Sequence, residues 1–476
     1  MKRVSMVRNI LLSGIARASD AVLLLLLVLA ARQLGDERYG RFAFGLAFVG
    51  LFEVAADFGL RELVIREVGR DRGRARWFVS HAMTWKAAYA ALTTLLVGGI
   101  TWFLPVSSEQ KVVIWILLAA AIFRSFRFFF RSVLVAHEAF GTETRTLVIE
   151  RTVLVLVCGG VLLAGYGLVP FALSFAAVSL ANTALFLFVA QRSTGSLGFA
   201  REGQSLRTLF QSSVPFWLTA AAMGLYFKLD SVMLSFLRGD AEVGWYNAAY
   251  RIIEGTVVIP STLYYALFPR LSALYTEDPG ALRSVTERGL KAVIGVGFLM
   301  AGLGTLLADP LMLVIYGSDF APSGISFRIL SASLPFFFGW SLMIVVLNSV
   351  HRANMPFLGL LTGSLLNVAL NLWLIPRHGY VGASIATAVA EVFLFAFLWR
   401  ALGAAGYRSS VVGCLLKPAI AASVSIAVVF ALPLVPSLRA LLFGLLFAGM
   451  LSVLRFVDGE ERAWIAERIR RIGRRR

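Results

Sequence analysis

The chain has 476 residues, of which 58% are hydrophobic and only 15% are charged, and its mean hydropathy is +0.79. Soluble globular domains carry about 25% charged residues, so this composition excludes that class and indicates a polytopic membrane protein. The net charge of +18 does not call for a nucleic-acid partner, because basic loops of membrane proteins face anionic lipid.

Apolar runs of about 20 residues follow one another along the chain, and each is long enough to cross a hydrocarbon core of about 30 Å. We predict an all-α protein with fourteen transmembrane helices: 10–31, 41–60, 80–104, 112–134, 147–165, 168–190, 211–236, 244–266, 288–308, 323–350, 355–375, 381–402, 411–432 and 438–456. The first run resembles a signal peptide, but Arg17 and Asp20 interrupt it, and we interpret it as an uncleaved helix. The loops are short and leave no room for a soluble catalytic domain.

Basic residues are concentrated on alternate loops. With the N-terminus inside, the inner side receives Lys2, Arg3 and Arg8, six arginines between residues 61 and 76, and the C-terminal tail. This asymmetry predicts an inner-membrane protein with both termini cytoplasmic. The tail, 458–476, has apolar residues at helical spacing among seven arginines, and we expect it either to lie along the inner membrane surface or to be a frayed basic terminus.

Signals for metal, redox or nucleotide chemistry are missing from the sequence. Cys158 and Cys414 lie in separate predicted spans and are interpreted as small core residues. The four histidines do not have metal-ligand spacing, and no phosphate-binding glycine loop occurs. We therefore expect no metal and no cofactor.

Three arginines lie inside the fourth predicted span. Arg124, Arg127 and Arg131 are three and four residues apart, so they share one face of a helix. An ionised side chain in a bilayer core costs about 2.5–3.5 kcal/mol on insertion scales, which predicts that this ladder faces a polar cavity. Arg124 is nearest mid-span and is the first candidate for binding an anionic substrate, followed by Arg127. Arg131 lies near the span end and either snorkels or binds.

Other spans also place charges near mid-membrane. The cationic ones are predicted to line the same cavity: Arg17, Lys86, Lys228 and Arg251. The acidic ones are candidates for binding a coupling proton or sodium ion: Asp20, Glu53, Asp230 and Glu254. Two pairs of opposite charge have the spacing i, i+3: Arg17 with Asp20, and Arg251 with Glu254. The alternative is therefore that they form internal ion pairs that hold helices together. Asp57, near the end of the second span, is either a helix-end cap or a substrate contact.

A weak internal repeat connects two halves of the chain. Gly35-Asp36 and Gly239-Asp240 are each followed by a glycine, Gly40 or Gly244, and then Gly165-Tyr166 and Gly379-Tyr380 each precede a span. Six predicted spans separate the two members of each match. An even number of helices per repeat predicts parallel halves, an arrangement typical of alternating-access transporters.

Several segments resemble one family in the correct order and at helix ends: Leu34–Gly40, Asp57–Leu60, Asp230–Leu234, Glu242–Arg251, Phe268–Ser272, Tyr316–Phe320 and Gly379–Ala383. They are similar to the polysaccharide flippases of the multidrug/oligosaccharidyl-lipid/polysaccharide exporter superfamily. The resemblance implies two six-helix lobes around a central cavity (1–207 and 208–402), two extra helices (403–457) and the basic tail (458–476).

The resemblance also implies a function. Such a protein is not an enzyme; it moves a polyprenyl-diphosphate-linked oligosaccharide from the cytoplasmic to the outer leaflet for cell-surface polysaccharide synthesis, such as O-antigen or exopolysaccharide. Its partners are that lipid-linked glycan, membrane lipids and other polysaccharide-assembly membrane proteins. One alternative is a drug/cation antiporter of the same superfamily, which the arginine ladder disfavours. Another is a membrane-embedded oligosaccharide polymerase or ligase, but those enzymes carry a large external loop, and the predicted loops of this chain are short.

Overall fold

The computed structural model describes residues 2–195, 197–199, 206–407 and 409–456; for residues 2–21 and some further positions it describes the backbone alone. The structure is 90% helical, and no strand occurs among the described residues. Eight described helices are long and apolar enough to cross a membrane. The protein is therefore an all-α polytopic membrane protein, as predicted. The predicted tail helix lies outside the described residues.

Fourteen α-helices occur in the described part of the chain: α1 Lys2–Asp57, α2 Leu60–Arg70, α3 Ala75–Phe103, α4 Ser108–Ala136, α5 Phe140–Leu163, α6 Leu168–Thr194, α7 Leu206–Arg238, α8 Asp240–Gly255, α9 Val258–Glu277, α10 Pro279–Tyr316, α11 Ser323–Ser349, α12 Asn354–Ala404, α13 Lys417–Phe430 and α14 Pro436–Val453. Every predicted span falls on one or two of these helices.

Three of the predicted boundaries differ from the structure. The first two spans lie on one helix, α1, and two later spans lie on α12, with a non-helical glycine in each helix. The predicted span 244–266 is divided, because α8 ends at Gly255 and α9 begins at Val258. A π-helical turn, Val412–Leu416, precedes α13, whose first turn contains a proline.

Four of the six glycines in the predicted repeat occupy positive-φ positions. Their φ values are 76° for Gly35, 104° for Gly239, 76° for Gly165 and 54° for Gly379. Residues with a Cβ rarely adopt this conformation, whereas glycine does so without steric cost. The repeated motif therefore encodes two kinks, inside α1 and α12, and two turns, between α5 and α6 and between α7 and α8.

The two Gly-Asp motifs pack against each other reciprocally. A Cβ on Gly40 would overlap the backbone carbonyl of Asp240, and a Cβ on Gly244 would overlap the backbone carbonyl of Asp36. The residue that follows each of these glycines donates a hydrogen bond to the aspartate of the other motif. Arg41 Nε donates to Asp240 Oδ2 at 3.3 Å, and Trp245 Nε1 donates to Asp36 Oδ2 at 3.0 Å. The repeat in the sequence thus corresponds to one close contact between α1 and α8.

Replacing Gly244 by alanine is expected to destabilise the protein by about 1–3 kcal/mol, the usual cost of overpacking a filled site. The overlapping atom belongs to the backbone of Asp36, so no side chain can rotate away. Thermal unfolding in detergent measures the effect. Gly160→Ala is the matched control, since no atom lies within 4 Å of its added Cβ. Equal melting temperatures for the two variants would contradict the close contact between Gly244 and the backbone of Asp36.

The structure divides into two compact units. The first comprises Met1–Gly255, Ile315–Pro322 and Ser364–Ala383, and the second comprises Thr256–Val314, Ser323–Gly363 and Ser384–Arg476. In the first, α1 packs against α4, α5, α7 and α8, and α4 packs against α6. In the second, α9 packs against α11, and α13 packs against α14. The lobe boundaries given above stay predictions.

Candidate functional site

The arginine ladder of α4 is paired with carboxylates. Arg124 Nε and Nη2 donate to the two carboxylate oxygens of Glu53 on α1, at 2.9 and 2.5 Å. Arg127 Nη1 donates to Glu150 Oε2 on α5 at 2.8 Å. The first pair is partly accessible, with side chains 23% and 19% exposed, whereas the second is buried at 5% and 4%. The two pairs therefore differ in how readily a ligand can reach them.

The third arginine of the ladder, Arg131, also pairs with a carboxylate on α5, a contact that the sequence-based prediction does not include. Arg131 Nε donates to Glu143 Oε1 on α5 at 2.7 Å. The paired residues are not equally spaced: Arg127 and Arg131 are four residues apart, and their partners Glu150 and Glu143 are seven apart. Sequence spacing alone therefore does not predict which charges of α4 and α5 pair.

A cavity of about 370 Å³ lies among α1, α4, α5, α6, α7 and α8 in the first unit. Its charged lining consists of five cations and two carboxylates: Arg124, Arg127, Arg151, Lys228, Arg251, Glu53 and Glu150. Three positive charges are thus in excess. A polar cavity with this charge favours an anionic ligand.

The depth of the cavity follows from a contact at the helix ends. Arg41 Nη1 donates to Glu109 Oε2 at 2.5 Å, which places the starts of the second half of α1 and of α4 at one level. Glu53 is twelve residues beyond Arg41, and Arg124 is fifteen beyond Glu109. With a rise of 1.5 Å per residue these positions lie about 18 and 22 Å farther along. Compared with a hydrocarbon core of about 30 Å, these distances place the cavity well within the membrane-spanning helices and away from their ends at Arg41 and Glu109.

Lys228 enters the cavity from α7 beside the backbone of α1. A Cβ on Gly50 would lie 2.8 Å from Lys228 Nζ, so the ammonium group occupies space that only glycine leaves open. Gly50 is one helical turn before Glu53, and Lys228 interacts electrostatically with that carboxylate. The described residues provide Lys228 with no hydrogen bond or ion pair. This cation therefore has donors available to a ligand.

Arg251 reaches the same cavity from α8. Its Nη1 donates to Glu254 Oε2 at 2.6 Å, so the predicted internal ion pair is confirmed. Glu254 is 51% exposed and does not line the cavity. The Nε of Arg251 is buried and has no acceptor among the described residues. The pair leaves part of the guanidinium for a further acceptor.

Lys86, predicted as a cavity cation, lies outside the lining. Its Nζ donates to Asp57 Oδ1 at 2.9 Å and to Ser125 Oγ at 2.8 Å, and its side chain is 0% exposed. The rings of Phe126 and Phe129 also lie within 6 Å of the ammonium group. The sequence shows a mid-span lysine but not its partner across the helices. These contacts give Lys86 and Asp57 a structural role joining α1, α3 and α4.

Asp230 also lies outside the cavity lining. Its Oδ1 accepts a hydrogen bond from Asn371 Nδ2 at 2.7 Å, and its Oδ2 accepts one from the Tyr246 hydroxyl at 2.8 Å. The residue is only 3% exposed. These contacts connect α7, α8 and the first part of α12 in a buried polar network.

The structure thus brings together half of the predicted site residues: Arg124, Arg127, Lys228, Arg251 and Glu53. It places three others elsewhere: Lys86, Asp230 and Glu254. Arg17 and Asp20 lie on α1 where only the backbone is described, so their side chains are outside the described part. Arg151 and Glu150 are additional lining residues.

Comparison with known families agrees with this architecture. A sequence model of the family described as polysaccharide biosynthesis protein matches residues 6–275, more than half of the chain. A second family model, MatE, matches residues 215–373. The chain belongs to the polysaccharide biosynthesis protein family. This confirms the resemblance drawn from the helix-end motifs.

Two proteins of Haloferax volcanii are similar in sequence. The probable low-salt glycan biosynthesis flippase Agl15 is 25% identical over 374 residues, which cover 76% of this chain and 75% of that protein. The probable flippase AglR is 28% identical over 175 residues, or 36% of this chain. That second match spans only 37% of AglR.

A solved structure is similar over almost the whole chain. The lipid II flippase MurJ in an inward closed conformation matches with a TM-score of 0.77, covering 94% of this chain and 99% of that one. The sequence identity is 14%, so this similarity establishes the fold alone.

Proposed function

We propose that the protein is a flippase that moves a polyprenyl-diphosphate-linked oligosaccharide across the membrane. The observation that carries this proposal is the cavity among the membrane-spanning helices, with five cations and two carboxylates in its lining. Moving a diphosphate and its glycan through hydrocarbon without assistance requires the desolvation of both. A cationic, hydrated cavity lowers that barrier.

Arginine suits the diphosphate part of such a substrate. The planar guanidinium stays charged and donates two parallel hydrogen bonds to phosphate oxygens. Arg124, Arg127, Arg151 and Arg251 supply this chemistry from three helices. The cavity volume of about 370 Å³ suits a diphosphate with its adjoining sugar better than a complete repeat unit, since ligand pockets span about 300–1,000 Å³.

The similar proteins support transport rather than catalysis. Agl15 and AglR are both named as probable flippases, and MurJ is a lipid II flippase. A flippase needs to bind and release its cargo without changing a covalent bond. We accordingly assign the protein no enzymatic activity and no cofactor.

We also propose the direction of transport and the location of the protein. It lies in the inner membrane with both termini cytoplasmic and moves its cargo to the outer leaflet, where other polysaccharide-assembly membrane proteins use it. The basic surface around α2 supports this orientation, since the side chains of Arg66, Arg70 and Arg72 are 39%, 71% and 52% exposed. Such a surface favours the cytoplasmic leaflet with its anionic lipids.

Coupling to a proton or a sodium ion is part of the proposal. Two of the acidic candidates are placed for this role: Glu53 is partly exposed in the cavity, and Asp230 is buried in a hydrogen-bond network with Asn371 and Tyr246. Translocation measured in liposomes with an imposed pH or sodium gradient tests this. A rate that responds to neither gradient argues for uncoupled transport.

A drug/cation antiporter is the second candidate, because a MatE family model also matches part of the chain. The excess of three positive charges in the cavity lining disfavours a cationic ligand. Four arginines and a lysine around one cavity, against two carboxylates, would repel an organic cation.

Native mass spectrometry of gently purified protein tests the proposed function. We expect a co-purified polyprenyl-diphosphate sugar, whose mass identifies the glycan, and we expect Arg124→Gln to retain much less of it. Ordinary phospholipid alone, together with binding of added organic cations, would instead support the antiporter.

A further inference from the structure

We propose that Glu53 is a built-in counter-anion that the substrate must displace from Arg124, and that this exchange makes the cavity select a diphosphate over a monophosphate. The inference rests on the proposed function and assigns a specificity role to one side chain. Its observation is the two-pronged contact between the carboxylate and the guanidinium inside the cavity.

Glu53 occupies the part of Arg124 that a phosphate needs. Arg124 Nε donates to one carboxylate oxygen at 2.9 Å, and Nη2 donates to the other at 2.5 Å. Guanidinium groups bind phosphate through the same parallel pair of N–H donors. A phosphate therefore cannot form this contact while Glu53 holds it, and binding becomes an exchange of one anion for another.

The accessibility of the Arg124–Glu53 pair distinguishes it from the other ion pairs that the arginines of α4 form. The Arg124 and Glu53 side chains both line the cavity and are 23% and 19% exposed. Arg127 and Glu150 line it too, but their side chains are only 5% and 4% exposed, so an incoming ligand reaches much less of this pair. Only the Arg124 pair among the described lining residues combines a fork geometry with access for a ligand.

The displaced carboxylate has a second cation within reach. Lys228 interacts electrostatically with Glu53, and its ammonium group lies against Gly50, one turn away on the same helix. The described residues give Lys228 no ion pair of its own. A rotation of the Glu53 side chain towards Lys228 would free Arg124 without leaving the carboxylate unpaired, which keeps the cost of exchange low.

Charge decides which ligands complete the exchange. At Arg124, a lipid-linked monophosphate diester replaces the single negative charge of Glu53 with its own single charge, so this guanidinium gains no net attraction. A diphosphate diester carries two negative charges, and its second charge attracts the other cations of the lining. Opposite charges attract more strongly in a cavity of low dielectric than in water. Glu53 thus sets a minimum charge for the substrate.

The test compares two probes on the full-length protein in nanodiscs. Undecaprenyl-diphosphate-N-acetylglucosamine and undecaprenyl-phosphate-glucose differ in phosphate charge, and native mass spectrometry titrations give a Kd for each. We expect the wild type to prefer the diphosphate by about tenfold or more. Glu53→Gln should bind the monophosphate about tenfold more tightly than the wild type and so reduce this preference.

Two further variants control for structural effects. Glu143→Gln breaks a ladder pair of the same chemistry that does not line the cavity, and it should leave both affinities unchanged. Glu53→Asp keeps the counter-charge with a shorter side chain, so it should keep the preference for diphosphate even if Glu53→Gln folds poorly.

The outcomes separate the inference from the function on which it rests. A wild type that binds neither probe overturns both. Suppose that the wild type binds the diphosphate, but Glu53→Gln weakens the binding of both probes equally or leaves the ratio of their Kd values unchanged. That result overturns the role of Glu53 and leaves the proposed function standing. Loss of the preference in Glu53→Asp would likewise show that the shape of Glu53, and not its charge, matters.

Discussion

Replacing Arg124 by glutamine is expected to reduce translocation of a lipid-linked glycan by about 10- to 100-fold. The variant removes charge-assisted hydrogen bonds to the diphosphate, each worth about 1.5–3 kcal/mol, and about 1.4 kcal/mol corresponds to a factor of ten. Arg124 is the ladder arginine with a partly exposed fork in the cavity. Movement of a fluorescent lipid-linked oligosaccharide between leaflets of reconstituted liposomes measures the rate.

A paired variant separates loss of binding from loss of structure. Arg124→Gln also leaves Glu53 without its partner, so the double variant Arg124→Gln/Glu53→Gln removes both charges. If Arg124 binds the substrate, the rate stays low in the double variant. The matched control is Arg131→Gln/Glu143→Gln, which removes a similar pair outside the cavity lining and should keep a rate near wild type. Recovery in the first double variant would contradict a role for Arg124 in binding.

Replacing Glu150 by glutamine is expected to destabilise the protein by about 3–5 kcal/mol, the usual cost of removing one member of a buried ion pair. Its partner Arg127 is only 5% exposed and would keep an uncompensated charge. Arg151 Nη1 also lies 3.6 Å from Glu150 Oε1, so a second cation loses its counter-charge. Thermal unfolding in detergent measures the change.

The double variant Arg127→Leu/Glu150→Leu distinguishes a structural pair from a functional one. Apolar replacement of both members of a buried pair is often neutral or stabilising, so the double variant should melt above Glu150→Gln. Low translocation in this stable variant would show that the substrate needs Arg127. A Glu150→Gln protein that melts like the wild type would contradict the importance of the pair.

Features encoded within a single helix were predictable from sequence. The spans follow from the length of each apolar run, and the ladder follows from spacings of three and four. The pair of Arg251 and Glu254 was predictable for the same reason, since both residues lie within one turn. Positive-φ glycines at the repeated turns follow from local chemistry as well.

Contacts between helices were not predictable in the same way. Glu53 and Arg124 are 71 residues apart, and Asp57 and Lys86 are 29 apart. Each of these charges has several possible partners in sequence, and only packing selects one. Lys86 was therefore assigned to the cavity, although a carboxylate and a hydroxyl enclose its ammonium group. The pairs of Arg127 with Glu150 and of Arg131 with Glu143 gave no such signal either, because four residues separate the arginines and seven separate the glutamates.

The reciprocal fit of the two Gly-Asp turns has the symmetry of a homodimer interface within one chain. Gly40 meets the carbonyl of Asp240, and Gly244 meets the carbonyl of Asp36, so the same two positions form both contacts. Isologous dimers show this exchange about a twofold axis. A half-length chain with one such motif would satisfy the same geometry by pairing with a second copy of itself.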